Sequence, residues 1–337
     1  MKIGSCDLSK DVFIIAEIGN NHEGSYTMAE ELIGLAAQTG VHAVKFQTFI
    51  PDRLVSEKEK ERIRQLRRFQ LSYDQFAKLK KVADRAGVVF LSTPFDIESA
   101  LFLNDLVPAF KIASGDNNFF PLIEAVAKTG KPIILSAGMT SYENIETTKN
   151  FIERIWEEHN IAERELAILH CVVNYPTAVR NANLLFIKKL YELGATVGYS
   201  DHTIGISAAL HAVVLGARII EKHFTSSKSY SDFRDHEISA DPDEMKSLVI
   251  NIHETMEMLG DGEKRVLEDE EALQQNVRRS IVAGKDLGRG TIIAMEHLNW
   301  VRPGIGLPPG SEGLILGKAL KRSLTKGELI LQDYVTE

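Results

Sequence analysis

TVGYSDHTIGISAALHAVVLGARIIEKHFT, residues 196–225, holds the pattern on which the fold turns. An apolar run from Thr196 ends in Ser200, Asp201 and His202. A stretch with helical apolar spacing follows, and a second apolar run from Arg218 ends in Glu221 and His223. Short apolar runs joined by helical stretches imply parallel strands with helical crossovers. The same unit recurs upstream. The other strand candidates are VFIIAEIG from Val12, AVKFQTF from Ala43, VVFLSTPF from Val88, AFKIASGD from Ala109, PIILSAGM from Pro132 and AILHCVVNYP from Ala167. The segments between them include MAEELIGLAAQTG from Met28, stopped by Gly40, and ENIETTKNFIERIWEEH from Glu143. Eight such units in about 260 residues predict a closed (β/α)8 barrel, the TIM-barrel form of the α/β class.

The strands begin apolar and end polar. Glu17, Asn20 and Asn21 follow the first. Lys45 and Gln47 stand two apart on the second and share a face. Ser92 and Thr93 end the third, and Lys111, Ser114 and Asp116 the fourth. Ser136 ends the fifth, and Asn174 and Tyr175 follow the sixth. A barrel gathers these carboxyl ends on one face, where its active site is built. Loop onset by itself accounts for Asn, Ser and Gly at such places. It does not account for Lys45, Lys111, Glu221 and His223.

Lys45, Lys111, Thr93, Ser114, Ser136 and Ser200 offer the charge and hydroxyls that a phosphorylated substrate needs. No GxxxxGK[ST] loop occurs, so an ordinary nucleotide site is not indicated. His202 and His223 end neighbouring strands and suit Mn²⁺, Zn²⁺ or Fe²⁺ with open positions. One general base beside one structural histidine is the alternative. Glu17, Asp116 and Glu221 are candidate acid–base or positioning groups. At least one of them is expected as an ion-pair partner of Lys45, Lys111 or Lys222. Two rival functions stand beside an enzyme of this kind: a Schiff-base aldolase using Lys111 or Lys222, and, suggested by the C-terminal module and not by these residues, a non-catalytic sugar-binding protein.

The 337 residues are 44% hydrophobic and 26% charged, enough for a large core. A net charge of -8 argues against nucleic acid or an anionic membrane as partner. Cys6 and Cys171 are the two cysteines and stand in no metal or redox spacing, so a reducing, cytoplasmic setting is expected. The opening MKIGSCDLSK lacks a leader's basic-then-apolar pattern. No apolar run approaches the roughly 20 residues of a membrane span. The barrel is expected over residues 1–260. Residues 261–280 are strongly charged and read as an exposed linker or helix. Glycine-punctuated β-like pieces from Ile281 predict a small β-rich module over 281–337.

The ordered motifs IIAEIGNNHEG, VKFQTF, FLSTPFD, FKIASGD, PIILSAGM, GYSDHT and IIEKHFT resemble those of the sialic acid synthase (N-acetylneuraminate synthase) family. VRPGIGLPP resembles that family's C-terminal antifreeze-like (SAF) domain. The resemblance spans nearly the whole chain. It implies a barrel with an SAF cap and a divalent metal, Mn²⁺ first and Mg²⁺ or Co²⁺ as substitutes. It implies phosphoenolpyruvate as donor and an N-acetylated amino-hexose as acceptor, either N-acetylmannosamine or a modified 2,4-diacetamido hexose. The products would be a nine-carbon keto sugar acid and phosphate. Metal ligation then falls to His202 and His223. Phosphoenolpyruvate falls to Lys45, Thr93, Lys111, Ser114, Ser136 and Ser200. The acceptor falls to Glu17, Gln47, Tyr175, Asp235 and Arg302. A domain-swapped homodimer with Arg302 acting in trans is also implied.

The chain departs from the family at four places. Phe233-Arg234-Asp235 replaces a frequent Gly-Pro-Asp, Val173 stands where a polar donor is usual, and Asp116 stands where Glu is common. The charged stretch SEKEKERIRQLRRFQ after Ser56 replaces the usual acceptor loop. The departures concern the acceptor side, so acceptor identity is where this chain is expected to differ.

Overall fold

The computed structural model describes residues 1–162 and 164–337, apart from the side chain of Ala272. It divides into two compact units, Met1–Gly260 and Asp261–Glu337.

The first unit contains eight parallel strands: β1 (Phe13–Gly19), β2 (Ala43–Thr48), β3 (Val89–Pro94), β4 (Phe110–Ile112), β5 (Ile133–Ser136), β6 (Leu166–Cys171), β7 (Thr196–Asp201) and β8 (Ile219–His223). Their order in the sheet is β3-β2-β1-β8-β7-β6-β5-β4, with β3 and β4 meeting at the seam, so the sheet curls into a nearly closed barrel. Helices cover its outside. Tyr26–Gln38 starts where the Ser25 side chain accepts from the Met28 amide, and it buries Leu32, Ile33 and Ala36. Tyr73–Ala86 opens on a Ser72/Gln75 capping box and ends on Gly87 at φ +76°.

Side-chain alternation along each strand sorts two cores. Ile14, Ala16 and Ile18 of β1 face the helices. Phe13 and Ile15 face inward, where they pack with Ala43, Leu91, Ala109, Ile134, Ala167, Leu169 and Ile219. A two-stranded hairpin, Lys2–Ile3 with Cys6–Asp7, adds Ile3 and Leu8 to that inner cluster and plugs the amino-terminal end. The inner layer is tight: a Cβ on Gly198 would lie 2.3 Å from Leu169 Cδ2 and 2.6 Å from the Ile219 carbonyl oxygen.

The second unit carries the helix Glu268–Val277 and an antiparallel pair, β9 (Ser280–Ala283) with β10 (Leu298–Val301). Ile281, Leu287, Ile293, Leu320 and Ile330 belong to its own small core. The helix falls within the residues read from sequence as a linker or helix. No helix among the described residues is long and apolar enough to cross a membrane.

Candidate active site

One step up each strand, the inward positions change character. Above Ile15 stands Glu17, above Ala43 stand Lys45 and Gln47, and above Leu91 stands Thr93. Lys111, Ser136, Ser200, Glu221 and His223 complete the ring, all buried or nearly so. They line a cleft of about 750 Å³ at the carboxyl ends of the strands. Glu17, Lys45, Gln47, Thr93, Lys111, Ser114, Ser136, Tyr175, Ser200, His202, Glu221, His223 and Asp235 all reach it.

The floor is an ionic network. Lys45 Nζ lies 2.7 Å from Glu17 Oε2 and 3.6 Å from Glu221 Oε2, and donates to Thr93 Oγ1 at 3.1 Å. Lys111 Nζ lies 3.7 Å from Glu221 Oε1 and donates to Ser136 Oγ at 2.7 Å. Ser200 Oγ donates to Glu221 Oε1 at 2.9 Å. Gln47 Nε2 donates to Glu17 Oε1 at 3.3 Å, and Asn20 steadies Gln47 from above. Strand register sets these pairings: Glu17 stands beside Lys45, and Glu221 beside Ser200.

Burial raises the Glu17 carboxyl above its usual range; Lys45 offsets only part of that, and the Glu221 charge adds to it. Burial acts on Glu221 in the same sense, but Lys111 and Lys45 together outweigh it and hold Glu221 well below the usual range. The two carboxylates share a site, so the proton goes to the one with less cationic company, Glu17. Burial lowers Lys111, with Glu221 offsetting part of the shift. Burial also pulls Lys45 down, but Glu17 and Glu221 more than compensate and raise it. When Glu17 takes up a proton, Glu221 alone faces the two lysines and the floor carries one positive charge in excess, which suits an anion.

Beside the floor stand the histidines. His202 and His223 have ring centroids 5.5 Å apart, and the Tyr175 ring lies 4.2 Å from His202. His202 Nδ1 lies 2.8 Å from the Val172 carbonyl oxygen, so it carries the proton and leaves the Nε2 lone pair free. His223 is buried and its Nδ1 has no partner. Burial pushes both imidazoles down, His223 further because His202 adjoins it, so both are neutral near pH 7. Two neutral imidazoles, one oriented by a backbone carbonyl and one with an orphaned nitrogen, fit a divalent cation. Among the described residues the group of three side chains with ligand atoms within 4.8 Å is instead Cys6, Asp11 and His42. It lies at the plugged end, where His42 Nδ1 already accepts from the Ile14 amide.

Two expectations change, and Arg302 falls in the small module where the sequence put it. Asp116 does not line the cleft. Ser114–Asp116 forms a tight three-residue turn that presents Ser114 and Gly115 and sends the next side chain aside. Its Oδ2 is buried without a partner, and burial pushes its carboxyl up to about 6. Lys222 faces away from the cleft, wholly buried against Asp201 Oδ2 at 3.0 Å, so it is no Schiff-base candidate. Arg302 belongs to the second unit, where it is exposed.

The far wall is formed by two of the segments in which the chain departs from the family, the charged stretch after Ser56 and Phe233-Arg234, though the sequence did not tell which residues of the first face the cleft. Arg62, Gln65, Leu66 and Phe69 of the helix Lys60–Phe69 line the cleft, opposite Phe233 and Arg234. Phe69 and Phe233 have ring centroids 5.0 Å apart, and the Arg234 guanidinium lies 5.3 Å from the Tyr175 ring centre. The Arg62/Leu66/Phe69 spacing was the available signal, masked by the surrounding charges. Gly138 also escaped notice. A Cβ there would lie 2.6 Å from both Ser114 Oγ and Val173 Cγ2, so glycine alone lets these walls meet.

Fold and cleft together define a barrel enzyme with an anion-receptive floor and a histidine pair. The chain belongs to the NeuB family, whose model matches residues 32–264; the SAF domain model matches residues 278–336. It is 36% identical to the N,N'-diacetyllegionaminic acid synthase of Legionella pneumophila, over 97% of this chain and 95% of that one. It is 36% identical to a pseudaminic acid synthase of Campylobacter jejuni, over 99% of each. The N-acetylneuraminic acid synthetase structure from Leptospira borgpetersenii, in complex with citrate, matches with a TM-score of 0.75 at 33% identity, covering 81% of this chain and 94% of that one.

Proposed function

We propose that the enzyme condenses phosphoenolpyruvate with an N-acetylated amino-hexose to give a nine-carbon keto sugar acid and phosphate. The observation that carries this reading is the pair of buried lysines, each capped by a hydroxyl, beside two neutral histidines in one cleft.

Lys45 and Lys111, with Thr93, Ser136 and Ser200, bind the donor's carboxylate and phosphate and offset the charge that develops as phosphate departs. Ser114 Oγ accepts from the Gly138 amide at 3.1 Å, which leaves its own proton for the donor. Asn117 Nδ2 donates to the Ser136 and Gly138 carbonyl oxygens and holds that strand end in place. The donor's methylene carbon bonds to the sugar's aldehyde carbon. Glu17, protonated at the start, gives its proton to the aldehyde oxygen. Water adds at the donor's second carbon, one of its protons returning to Glu17; the bond from that carbon to the phosphate oxygen breaks, the second proton leaves with phosphate, and the keto acid forms. A divalent cation, Mn²⁺ by preference, would be held by His202 and His223 and would polarise the sugar's carbonyl when bound. Gln47, Tyr175 and Asp235 orient the sugar.

On the acceptor side, the apolar contact of Phe69 with Phe233 and the absence of a polar donor at Val173 favour a modified 2,4-diacetamido hexose over N-acetylmannosamine. A phosphate-release assay with phosphoenolpyruvate, Mn²⁺ and a panel of 2-acetamido and 2,4-diacetamido hexoses tests this. The modified sugar should have the higher kcat/KM. Higher efficiency with N-acetylmannosamine would reverse the acceptor assignment. Keto-acid-dependent borohydride trapping on Lys111, with activity surviving EDTA, would replace the whole scheme by an aldolase.

A further inference from the structure

Behind the far wall of the cleft, two loops are tied by side chains that the reaction scheme does not use. One is residues 20–25, after β1; the other is residues 224–240, after β8. Buried Asn21 donates Nδ2 to the Phe224 carbonyl oxygen at 2.8 Å and to Ser239 Oγ at 2.9 Å. Ser239 Oγ in turn donates to the Asp235 carbonyl oxygen at 2.6 Å. Glu23 Oε1 accepts from Ser231 Oγ and from His236 Nε2, the latter at 3.3 Å. His236 is fully buried, and its Nδ1 lies 2.7 Å from Thr225 Oγ1. Its ring meets Phe233 edge-on at 6.0 Å, and Phe233 contacts Phe69. The chain bonds made by Glu23 therefore flank the three residues, 233–235, that present Phe233, Arg234 and Asp235 to the cleft.

The backbone adds an independent observation. Glu23 has φ +47°, a left-handed conformation that costs a side chain of this kind energy and that glycine or asparagine adopts more readily. Gly24, next along, approaches the helix Lys60–Phe69 so closely that a Cβ would lie 1.9 Å from the Arg68 carbonyl oxygen. The loop after β1 thus touches both sides of the far wall. A long carboxylate occupies a strained turn, and its oxygen is spent across the gap on Ser231 and His236. Strain of this kind persists where surrounding contacts over-determine it, and it collects at functional sites.

We propose that Glu23 and His236 are positioning residues for the amino-sugar acceptor, acting through Phe233 and Asp235. This rests on the reading that the sugar binds at that wall. The test measures KM for the preferred amino sugar, KM for phosphoenolpyruvate, kcat and Tm for wild type, Glu23→Gly, Glu23→Gln and His236→Phe. Glycine relieves the left-handed backbone while deleting the carboxylate, so a purely structural role would leave both KM values alone. The positioning role raises the sugar's KM at least tenfold in Glu23→Gly and His236→Phe and leaves phosphoenolpyruvate's within twofold. Glu23→Gln keeps an accepting oxygen and should recover most of the sugar's affinity. A sugar KM unchanged in Glu23→Gly and His236→Phe, beside an active wild type, overturns this inference alone. Equal rises in both KM values overturn it as well. A wild type that turns over no sugar in the panel overturns the functional reading and this inference with it.

Discussion

The lower and upper halves of the barrel interior use the same strands and the same inward positions, yet they are built of opposite materials. Below, Phe13, Ile15, Leu91, Ile134 and Leu169 close into a dry layer under the hairpin. Above, Glu17, Lys45, Lys111 and Glu221 face one another around a cleft. On β2 the change happens between Ala43 and Lys45, one pleat apart. Charge can stand inside this barrel because the lower layer supplies the stability. The upper ring is free to hold groups that cost energy to bury.

The largest expected effect comes from discharging the upper half. Lys111→Met should lower kcat/KM with phosphoenolpyruvate by about 10³-fold or more, the scale of losing a preorganised charge contact. Stability should stay within about 2 kcal/mol, because an apolar side chain of similar length replaces a buried charge and Glu221 keeps Lys45. Denaturant melts and steady-state kinetics read the two effects separately. Full activity in this variant would erase the functional half of the comparison.

The reciprocal change is Leu169→Ala in the lower layer. It should cost about 2–5 kcal/mol of unfolding free energy through the cavity it leaves. At 25 °C the folded enzyme should keep kcat and both KM values. A fall in kcat with little loss of stability would mean that the lower layer positions the chemistry.

Acid should act through the upper half. His22 sits behind it against Phe46, and its Nε2 is buried without a partner. Burial pushes its imidazole down from 6.5 to about 4. The unfolded chain takes up a proton below pH 6.5 that the folded chain refuses until about pH 4. Stability is therefore lost as pH falls through that window, by on the order of 3 kcal/mol for this group. His22→Phe should flatten the pH dependence of urea unfolding by that share, with His202 and His223 supplying losses of the same sign. An unchanged slope would show that His22 protonates without cost.

The smallest effect sharpens the picture within the cleft. Ser136→Ala removes the hydroxyl that accepts from Lys111 and should weaken phosphoenolpyruvate binding about tenfold, with the sugar's KM little changed. Calorimetric titration reads it directly. A larger shift for the sugar would move the donor away from β4 and β5.

Several site residues were legible in sequence because alternation is a local property. Lys45 and Gln47, two apart on an apolar strand, had to share a face, and both reach the cleft. Asp116 was misplaced because alternation stops where the strand ends, and a tight turn redirects each successive side chain. The stretch after Ser56 was legible as a charged replacement of the acceptor loop, but its charges outnumber its apolar residues and hid which of them turn inward. Its helix Lys60–Phe69 buries Ile63, Leu66 and Phe69 and puts Arg62 and Gln65 over the cleft. Nothing local marked Glu23 or His236, whose partners stand more than two hundred residues apart along the chain.

By itself, then, the sequence determined the strand–helix alternation, the inward parity of each strand, the polarity of the strand ends and the change of texture after residue 260. All of these follow from periodicities of two and 3.6 residues along a single element. Only the tertiary structure decided which polar groups meet. Strand register set Glu17 beside Lys45, and two lysines drew Glu221 down while burial raised Glu17. The physical reason is that parity says which way a side chain points, whereas Coulomb energy and desolvation depend on distances of a few ångströms between residues from different strands. Those distances exist only once the sheet has closed on itself.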